Sequence, residues 1–445
     1  MPDWELTKGY RCPRISGEFY DCSMPLTFDQ YKKCGYGCFY CFARYQRENN
    51  PHTKDYITNE VKSVNIDKVK KLFKGEYPDN PYYKHFIKKR KVLQWGSMAD
   101  PFCPIEDEFG VGLELMKFFA DIEYPIRFST KGTLITENKK YWDFIKENAD
   151  RLKDKWAFIY SIVTPNPKHA ELIESGTPTP QERYKSLGKL QDLGYYTVHR
   201  LRPFLPGISN KGNALNKMLK KDKELGIDAL SIEWFCLDRR VTRKQKEMYK
   251  KLGDIAGINY PDFYKRNSEV RGYERLNPAV KKPIIEKIYE YCKDNDIHFA
   301  ISDPHFKELN DSGSCCGLPC DDSPLSNFQK SQWTKIIREA REHYLETGKK
   351  QKIKFEDIDK GDFDWEDDLK ANSFIGFIDK KGDDQHKRET TKNNLKNRWN
   401  QPNKGSSPYK YFYGRLKPIR LDKNQDVVYQ YNPSDLDKKH RADKK

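Results

Sequence analysis

The 445-residue sequence has no apolar stretch that approaches the ~20 consecutive residues required to span a membrane. Residues 1–5 have neither the basic start nor the apolar run of a secretory signal. These absences argue against a membrane or secreted protein and predict a cytoplasmic one. Because the cytoplasm keeps thiols reduced, we expect the 11 cysteines to be ligands, nucleophiles or core residues rather than disulfides.

The composition predicts a folded, basic protein. Hydrophobic residues make up only 36% of the chain, but 8 Trp, 28 Tyr and 24 Phe supply enough apolar area to build a core. The net charge of +16 indicates an anionic partner such as a nucleic acid. Since Asp and Glu are abundant too, a general richness in lysine explains the same balance equally well.

Between residues 90 and 302, short runs rich in β-branched and aromatic residues alternate with helical patterns. The predicted strands are 92–95, 126–129, 157–163, 197–201, 229–234 and 298–301. The predicted helices include 109–121, 139–152, 180–193 and 215–225. This alternation predicts an α/β fold with a parallel sheet and right-handed crossovers, closed or partly closed into a TIM-like barrel. Its chemistry would lie at the C-terminal ends of the strands.

The pattern changes after residue 325, so we divide the chain into a barrel domain with an N-terminal cysteine loop, 1–325, and an accessory charged region, 326–445. A helix is predicted over 331–347. Basic and aromatic residues alternate over 409–415. They would stack bases and pair phosphates, or else form a hydrophobic strand edge of a small domain.

Three cysteines, Cys34, Cys38 and Cys41, fall within eight positions near the N-terminus. A structural zinc site is closed by four ligands, and no fourth Cys or His lies close in sequence, which weakens a zinc-finger interpretation. Three thiolates with one open coordination position suit an iron–sulfur cluster. Gly35 and Gly37 allow the backbone of such a loop to approach the sulfurs.

This spacing, with an aromatic residue before the third cysteine, resembles the signature of radical S-adenosylmethionine (SAM) enzymes. Residues 35–44 (GYGCFYCFAR) are more closely similar to the spore photoproduct lyase and DNA repair photolyase-like branch. Four further segments resemble that branch in the same order: 96–106, 129–132, 161–164 and 202–208. The resemblance covers residues 30–305 and implies a partial (β/α)6 TIM-like barrel of the radical SAM type, followed by a small C-terminal accessory region.

The resemblance implies a 4Fe-4S cluster on Cys34, Cys38 and Cys41, whose remaining iron binds SAM. An electron from a reducing donor would cleave SAM to a 5′-deoxyadenosyl radical that abstracts hydrogen from the substrate. It also implies a DNA substrate, acted on by photolesion repair-like lyase chemistry or by base modification. One alternative is a radical SAM enzyme that modifies RNA or a protein. Another is a non-catalytic, metal-stabilised nucleic-acid-binding protein.

Candidate cofactor contacts follow the predicted strands. In the resembling family, positions such as Gly96 and Ser97 approach the SAM amino group, and a lysine such as Lys131 would pair with its carboxylate. Asp100 and Glu106 either join this site or hold their loop. Further candidates are Thr130, which closes the next strand, and Ser161 and Thr164, whose hydroxyls would face the barrel mouth.

Arg200 and Arg202 point the same way from one strand, and inside the barrel they would bind a carboxylate or phosphate. The alternative places His199 and Leu201 inside instead. We count Arg202 among the candidate cofactor contacts.

Several cysteines lie outside the loop. Cys103 is a candidate catalytic hydrogen-atom donor, a role that the resemblance suggests, with a plain buried cysteine as the alternative. A second metal or cluster would use Cys315, Cys316 and Cys320, which could otherwise form a redox pair. Cys12 and Cys22 are candidates for missing ligands, whereas Cys236 and Cys292 are expected in the core.

Overall fold

The structure is a computed structural model, which describes residues 3–15, 22–43, 59–80, 82–238, 243–268, 273–328, 332–358, 391–405 and 407–443. Its strands are β1 Glu5–Tyr10, β2 Arg14–Ile15, β3 Leu26–Phe28, β4 Gly37–Cys38, β5 Glu60–Val64, β6 Leu93–Trp95, β7 Ile126–Thr130, β8 Trp156–Ser161, β9 Glu174–Ser175, β10 Tyr196–Phe204, β11 Ala229–Trp234, β12 Leu237–Asp238, β13 Tyr273–Glu274, β14 His298–Ile301, β15 Lys352–Ile353, β16 Leu416–Leu421 and β17 Val427–Tyr431.

The α-helices are α1 Ile66–Phe73, α2 Pro104–Phe109, α3 Val111–Asp121, α4 Leu134–Glu137, α5 Lys139–Glu147, α6 Ala149–Leu152, α7 Pro167–Ile173, α8 Pro180–Asp192, α9 Ala214–Leu225, α10 Arg243–Ala256, α11 Tyr260–Asn267, α12 Pro278–Asp294, α13 Gln332–Thr347, α14 Thr391–Trp399, α15 Pro408–Tyr411 and α16 Asp435–Asp443. Shorter turns are the π-helical Tyr83–Ile87 and the 3-10 segments Pro304–Leu309, Pro324–Ser326 and Phe355–Asp357. No described helix has the length and apolar character needed to cross a bilayer.

The central sheet has eight strands in the order β14-β11-β10-β8-β7-β6-β3-β2. All neighbouring pairs are parallel except β2 with β3. Helices on the intervening crossovers make this an α/β fold, and the described strands leave β14 and β2 as open edges. The fold is therefore a partial TIM-like barrel, as the sequence predicts.

Aromatic side chains cover the outer face of the sheet, beneath the helices. Phe128 of β7 stacks on Phe158 of β8 with ring centroids 5.2 Å apart, and Trp95 of β6 lies 5.6 Å from Phe119 of α3. Because side chains alternate across a strand, the residues between these aromatics face the barrel interior. The outer face thus supplies the large core, and the inner face is left for smaller and polar residues.

Residues 314–328 follow β14 and lie against the inner face of the sheet. Cys316 and Leu318 pack with Val92 and Ala157. The backbone N–H of Val92 donates to the oxygen of Asn327 at 3.1 Å. A Cβ on Gly317, whose φ is +75°, would lie 3.2 Å from both Ala229 Cβ and Val198 Cγ1. Glycine therefore lets the segment approach the strands closely.

The C-terminal strands form a separate antiparallel sheet in the order β15-β17-β16. Its core contains Trp333, Trp399, Phe412 and Tyr429, all buried. An ion pair joins this unit to the segment after β14. Arg415 of the C-terminal unit donates from Nε to the buried Glu308 at 3.1 Å. A helix over 331–347 is confirmed as α13.

All six predicted barrel strands are confirmed, as β6, β7, β8, β10, β11 and β14. The prediction missed β3, whose three residues are too short to show a pattern, although it begins the barrel ahead of the cysteine loop. The predicted helix 139–152 is instead two helices, α5 and α6. Asn148 separates them, because its backbone leaves the helical conformation.

Candidate functional site

The cysteine loop is held on both sides by backbone contacts. On one side, β4 pairs antiparallel with β9, so that Cys38 lies opposite Glu174. The N–H of Phe39 also donates to Ile173 O at 2.8 Å. On the other side, Tyr36 donates its hydroxyl to Phe102 O at 3.2 Å. Arg44, the last residue of the motif, lies outside the described residues.

Two of the loop thiols have raised pKa values in their present surroundings. A hydrogen bond with the Cys103 thiol, together with burial, raises the pKa of Cys34 well above its usual value. Burial also raises the pKa of Cys38, although Lys131 opposes this. Within the described residues, no three His, Cys, Asp or Glu side chains converge closely enough for a single metal ion.

Lys131 lies beside this loop at the C-terminal end of β7. Its Nζ is 5.5 Å from the Tyr40 ring centroid and 3.9 Å from Glu174 Oε1. Tyr40 donates to Glu174, and Arg183 Nη1 donates to the same carboxylate at 2.6 Å. Burial lowers the pKa of Lys131, while Cys38 raises it. The lysine is thus a largely buried cation next to a predicted iron ligand.

Asp29 organises the loop after β6. Its Oδ1 accepts the backbone N–H groups of Ser97, Met98 and Ala99 at 2.9 to 3.0 Å. Its other oxygen accepts from Arg14 and from the Ser97 hydroxyl, the latter at 3.1 Å. The N–H and hydroxyl of Ser97 are therefore already bonded within the protein. Gly96 precedes this turn with a φ of +93°.

Asp100 joins the loops that follow β6 and β7. Thr130 donates its hydroxyl to Asp100 Oδ1 at 2.6 Å, and the N–H of Lys131 donates to Oδ2 at 2.6 Å. The loops approach so closely that a Cβ on Gly132 would lie 2.1 Å from Phe102 O. Asp100 and Thr130 thus position Lys131 and have their main polar atoms occupied.

Residues 31–218 match the family model described as "Radical SAM superfamily". The chain carries a radical SAM domain. The matched segment includes the three loop cysteines and Lys131, and the family implies a 4Fe-4S cluster with SAM as cofactor.

The residues of this radical SAM domain fit such a cluster. Each of the three thiolates in a cluster binds a different iron, so the sulfurs do not need to meet at one point. Lys131 supplies positive charge beside them, and backbone hydrogen bonds fix the cysteine loop to β9 and to the end of α7. Cys34 would exchange its hydrogen bond to Cys103 for an iron.

Curated relatives match over 213 residues at 25% identity. They include "Uncharacterized protein Rv2578c" of Mycobacterium tuberculosis (strain ATCC 25618 / H37Rv) and "Uncharacterized protein Mb2609c" of Mycobacterium bovis (strain ATCC BAA-935 / AF2122/97). The match spans 46% of this chain and 57% of each relative.

Solved structures with a similar fold include a spore photoproduct lyase complexed with dinucleoside spore photoproduct, at 14% identity and a TM-score of 0.48. That match covers 66% of this chain and 81% of the other. Another is Streptococcus suis SuiB bound to precursor peptide SuiA, at 12% identity and a TM-score of 0.40, covering 64% and 51%. At these values neither structure informs the chemistry of this chain.

Only some of the predicted site residues of the radical SAM domain lie together. Cys38 and Lys131 lie together, with Gly96 and Ser97 on the next loop. Glu106 is wholly buried and bonded to Tyr31 and Tyr141, so of its two predicted roles it has the structural one. Thr164 Oγ1 accepts from Asn166 N at 3.3 Å within a local turn, whereas Ser161 ends β8 on the inner face.

Arg202, a predicted cofactor contact, already has a carboxylate partner, and its contact with the cofactor stays a prediction. It lies on the inner face, but its Nε donates to Glu233 Oε2 at 2.8 Å and its Nη2 donates to the same oxygen. The guanidinium is therefore already paired with a carboxylate. The alternative with His199 inside is wrong, because His199 faces outward and bonds to Asp222 of α9.

Cys103 occupies the main core. It is fully buried at the start of α2, among the residues between the sheet and the helices, with its thiol against Cys34. These surroundings agree with the buried-cysteine alternative, and the role of hydrogen-atom donor stays a prediction.

The three later cysteines are not assembled into one metal site. Cys316 is buried against the inner face and Cys320 is exposed, and the described residues contain no group of three that would bind a metal ion. Of the other cysteines, Cys12 accepts the Asp29 N–H at 3.2 Å and Cys292 is in the core, as expected.

The basic and aromatic residues 409–415 mostly build the C-terminal core. Phe412 is fully buried and Tyr411 packs against the same cluster, while Arg415 pairs with Glu308. Their aromatic faces are thus used inside the protein, which favours the small-domain interpretation over base stacking. Tyr413 remains half exposed, with its ring 4.9 Å from that of His305.

Sequence reasoning missed Asp29, Glu174 and Arg127. Asp29 directly follows β3, so the rule that active residues follow barrel strands would have found it, had β3 been predicted. Arg127 is the one charged residue of β7, and a charge within a barrel strand is itself a signal. Glu174 had no signal, because its partners come from distant parts of the chain.

Proposed function

We propose that this protein is a radical SAM enzyme that binds a 4Fe-4S cluster through Cys34, Cys38 and Cys41, cleaves SAM and acts on DNA. The observation that carries the proposal is the proximity of Cys38 to Lys131 at the mouth of the partial barrel. One side chain belongs to the cysteine loop and the other to a loop after a barrel strand. When bound, the cluster supplies the electron that cleaves SAM into methionine and a 5′-deoxyadenosyl radical.

The chain's own residues would bind and orient SAM. Lys131 would attract the carboxylate, because a largely buried ammonium interacts strongly in a poorly solvated site. The backbone oxygen of Gly96 would accept from the amino group, since Asp29 already engages the neighbouring N–H groups. Ser161 would contact the ribose or the substrate from the inner face. The surrounding core would exclude water from the reaction.

The net charge of +16 supports an anionic polymer as substrate, because lysine and arginine contacts to phosphates release counterions. DNA is the polymer that we propose, with repair-like lyase chemistry or base modification as the reaction. A cytoplasmic location and a reducing protein as electron donor are parts of the same proposal.

The cluster is tested by anaerobic reconstitution with iron and sulfide. Wild-type protein should take up both and show charge-transfer absorption, while Cys34→Ser, Cys38→Ser and Cys41→Ser should each lose iron and colour. Cys320→Ser serves as the matched control, because this cysteine is exposed and outside the loop. Unchanged iron content in the three loop variants would contradict the ligand assignment.

SAM cleavage is tested by measuring 5′-deoxyadenosine under dithionite. Lys131→Met should weaken SAM binding by about tenfold or more, the loss expected for one charge-assisted contact, at unchanged iron content. Lys189→Met is the control, since Lys189 pairs with Glu137 on the helix layer. A reconstituted wild-type protein that releases no 5′-deoxyadenosine would leave the non-catalytic nucleic-acid-binding alternative.

The substrate is tested by competition among duplex DNA, RNA and peptide pools over a range of salt concentrations. We expect DNA to bind best and its affinity to fall steeply as salt rises. Equal or better binding of RNA or peptide would replace DNA with the other radical SAM alternative.

A further inference from the structure

Three arginines face the interior of the partial barrel. Arg127 projects inward from β7, because its neighbour Phe128 packs on the outer face. On β10, His199 faces outward, because it bonds to Asp222 of α9. Side chains alternate along a strand, so Arg200 and Arg202 project inward. The three guanidinium groups lie within electrostatic range of one another. The inner face therefore concentrates positive charge.

Only one of these three has a carboxylate partner among the described residues. Glu233 pairs with Arg202. Arg127 is fully buried, and its Nε, Nη1 and Nη2 have no hydrogen-bond partner in the described structure. Arg200 donates Nη1 to the Ser129 hydroxyl at 3.0 Å, and its buried Nε has no described partner. Among the described residues these two guanidinium groups thus form no salt bridge, and the nearest carboxylate, Glu233, is already paired with Arg202.

An unpaired charge inside a protein carries a desolvation penalty of several kcal/mol, which only a nearby counter-charge offsets. The electrostatics agree with this view. Burial lowers the pKa of Arg127, and burial together with Arg202 and Arg127 lowers the pKa of Arg200 to about 9. An anion bound between the two groups would remove this repulsion.

We infer that Arg127 and Arg200 bind the phosphate of a phosphomonoester, with Arg200 in direct contact and Arg127 behind it. A phosphomonoester carries a charge of roughly −1.5 to −2 at neutral pH, which matches two unpaired guanidinium groups, whereas a phosphodiester or carboxylate carries about −1. Arginine forks also bind phosphate in a bidentate way. The phosphate site itself does not depend on the proposed function. Only the identity of the molecule that carries the phosphate, a nucleotide or a phosphorylated strand end, rests on that function.

The position of Arg200 fits a substrate contact. It lies opposite Ser161 in the register of β8 and β10, and within electrostatic range of Lys131. A phosphate held there would place the attached nucleoside next to the proposed SAM site. The rival counter-charge is a thiolate on Cys316, because a hydrogen bond from Cys315 and the charges of all three arginines lower the pKa of Cys316 well below its usual value.

The test measures the rise in melting temperature of the full-length protein with inorganic phosphate, a nucleoside 5′-monophosphate, a 5′-phosphorylated oligonucleotide, dimethyl phosphate or acetate. Sodium chloride at equal ionic strength is the reference. We expect the first three to raise the melting temperature and the two monoanions to have little effect. Comparison of the nucleotide with the oligonucleotide then distinguishes the two sources of phosphate.

The variants are Arg127→Met and Arg200→Met, with Arg420→Met as an exposed control on β16. Each interior variant should weaken phosphate binding by about tenfold or more, while the control keeps the wild-type response. Without phosphate, Arg127→Met should melt at or above the wild-type temperature, because an apolar side chain replaces an unpaired buried charge. This last readout also shows that the variant is folded.

The inference is overturned if phosphate stabilises the wild type no more than chloride does, or if Arg127→Met responds like the wild type. The first outcome leaves the Cys316 thiolate as the counter-charge. The assay needs neither cluster nor SAM, so the Cys34→Ser/Cys38→Ser/Cys41→Ser triple variant should keep the phosphate response. Loss of SAM chemistry with a retained phosphate response contradicts only the proposed function, and the reverse result contradicts only the phosphate site.

Discussion

His199 lies between Asp222 and the backbone oxygen of Ile162, with Nδ1 2.7 Å from Asp222 Oδ2 and Nε2 2.8 Å from Ile162 O. The Asp222 carboxylate and the Ile162 oxygen both accept, so a protonated imidazole satisfies both contacts by donating from its two ring nitrogens. Burial lowers the pKa of His199, but the Asp222 carboxylate and the two hydrogen bonds outweigh it and raise the pKa overall. One buried ion pair thus joins β10 to α9 and to the end of β8.

This pair makes stability depend on pH. Because the folded-state pKa is raised, the contribution is fully present below the unfolded histidine pKa of ~6.5 and is lost as pH rises through the folded value. We expect the melting temperature to fall over that range. His199→Gln should lower the unfolding free energy by about 3 kcal/mol at low pH and reduce the pH dependence.

Calorimetry of the wild type and His199→Gln from about pH 6 to pH 9 checks this. His298→Gln is the control, because His298 is an exposed histidine at the start of β14. The same pH dependence in His199→Gln and the wild type would contradict the assignment.

Asp29→Ala should disorder the loop after β6. The substitution leaves Arg14 without its partner and three backbone N–H groups without acceptors, at a cost of about 3 kcal/mol. Asp29→Asn keeps an acceptor oxygen and should lose less. Melting temperature and limited proteolysis measure both effects, with the fully exposed Asp150→Ala as control. Equal stability of Asp29→Ala and Asp150→Ala would show that Asp29 does not organise this loop.

Gly96→Ala should destabilise the same loop through a steric clash. The new Cβ would lie 2.4 Å from Ser129 O and 2.9 Å from Pro101 Cδ, at a φ of +93°. We expect a loss of about 2 kcal/mol or more. Gly110→Ala has positive φ but no atom within 4 Å, and Gly405→Ala has neither problem, so the two controls separate backbone strain from the clash. A melting temperature of Gly96→Ala no lower than that of Gly110→Ala would exclude the clash.

Asp437→Ala should loosen the C-terminal unit. Asp437 accepts from Arg341 Nε at 2.6 Å and from Tyr431 Oη at 2.8 Å, which attaches α16 to α13 and β17. Burial raises the pKa of Asp437, but Arg341 and Ser434 hold it below its usual value. This stabilisation is therefore present above the unfolded pKa of ~3.9 and is lost as pH falls through the folded value.

We expect a loss of about 3 kcal/mol at neutral pH and a smaller loss in acid, measured by thermal unfolding. Asp435→Ala, an exposed residue of the same helix, is the control. A difference between the two variants that does not shrink at low pH would contradict the role of the charge pair.

The sequence by itself determined where six of the barrel strands lie along the chain and the position of the cysteine loop. These features depend on local information: apolar runs of strand length, helical periodicity between them, and the spacing of Cys34, Cys38 and Cys41. Because side chains alternate along a strand, the sequence also left two choices for the inward-facing residues of β10: Arg200 with Arg202, or His199 with Leu201. It did not choose between them.

Only the tertiary structure decided which side chains pair. That Arg200 and not His199 faces inward depends on Asp222, which is far along the chain. Arg202 meets Glu233, while Arg127 has no described partner, and no local pattern distinguishes these two arginines. The burial of the aromatic residues near Phe412 in the C-terminal core likewise depends on contacts that no local pattern shows. Pairing and burial depend on distances between strands and helices that are remote in sequence, and those distances are set only when the sheet assembles.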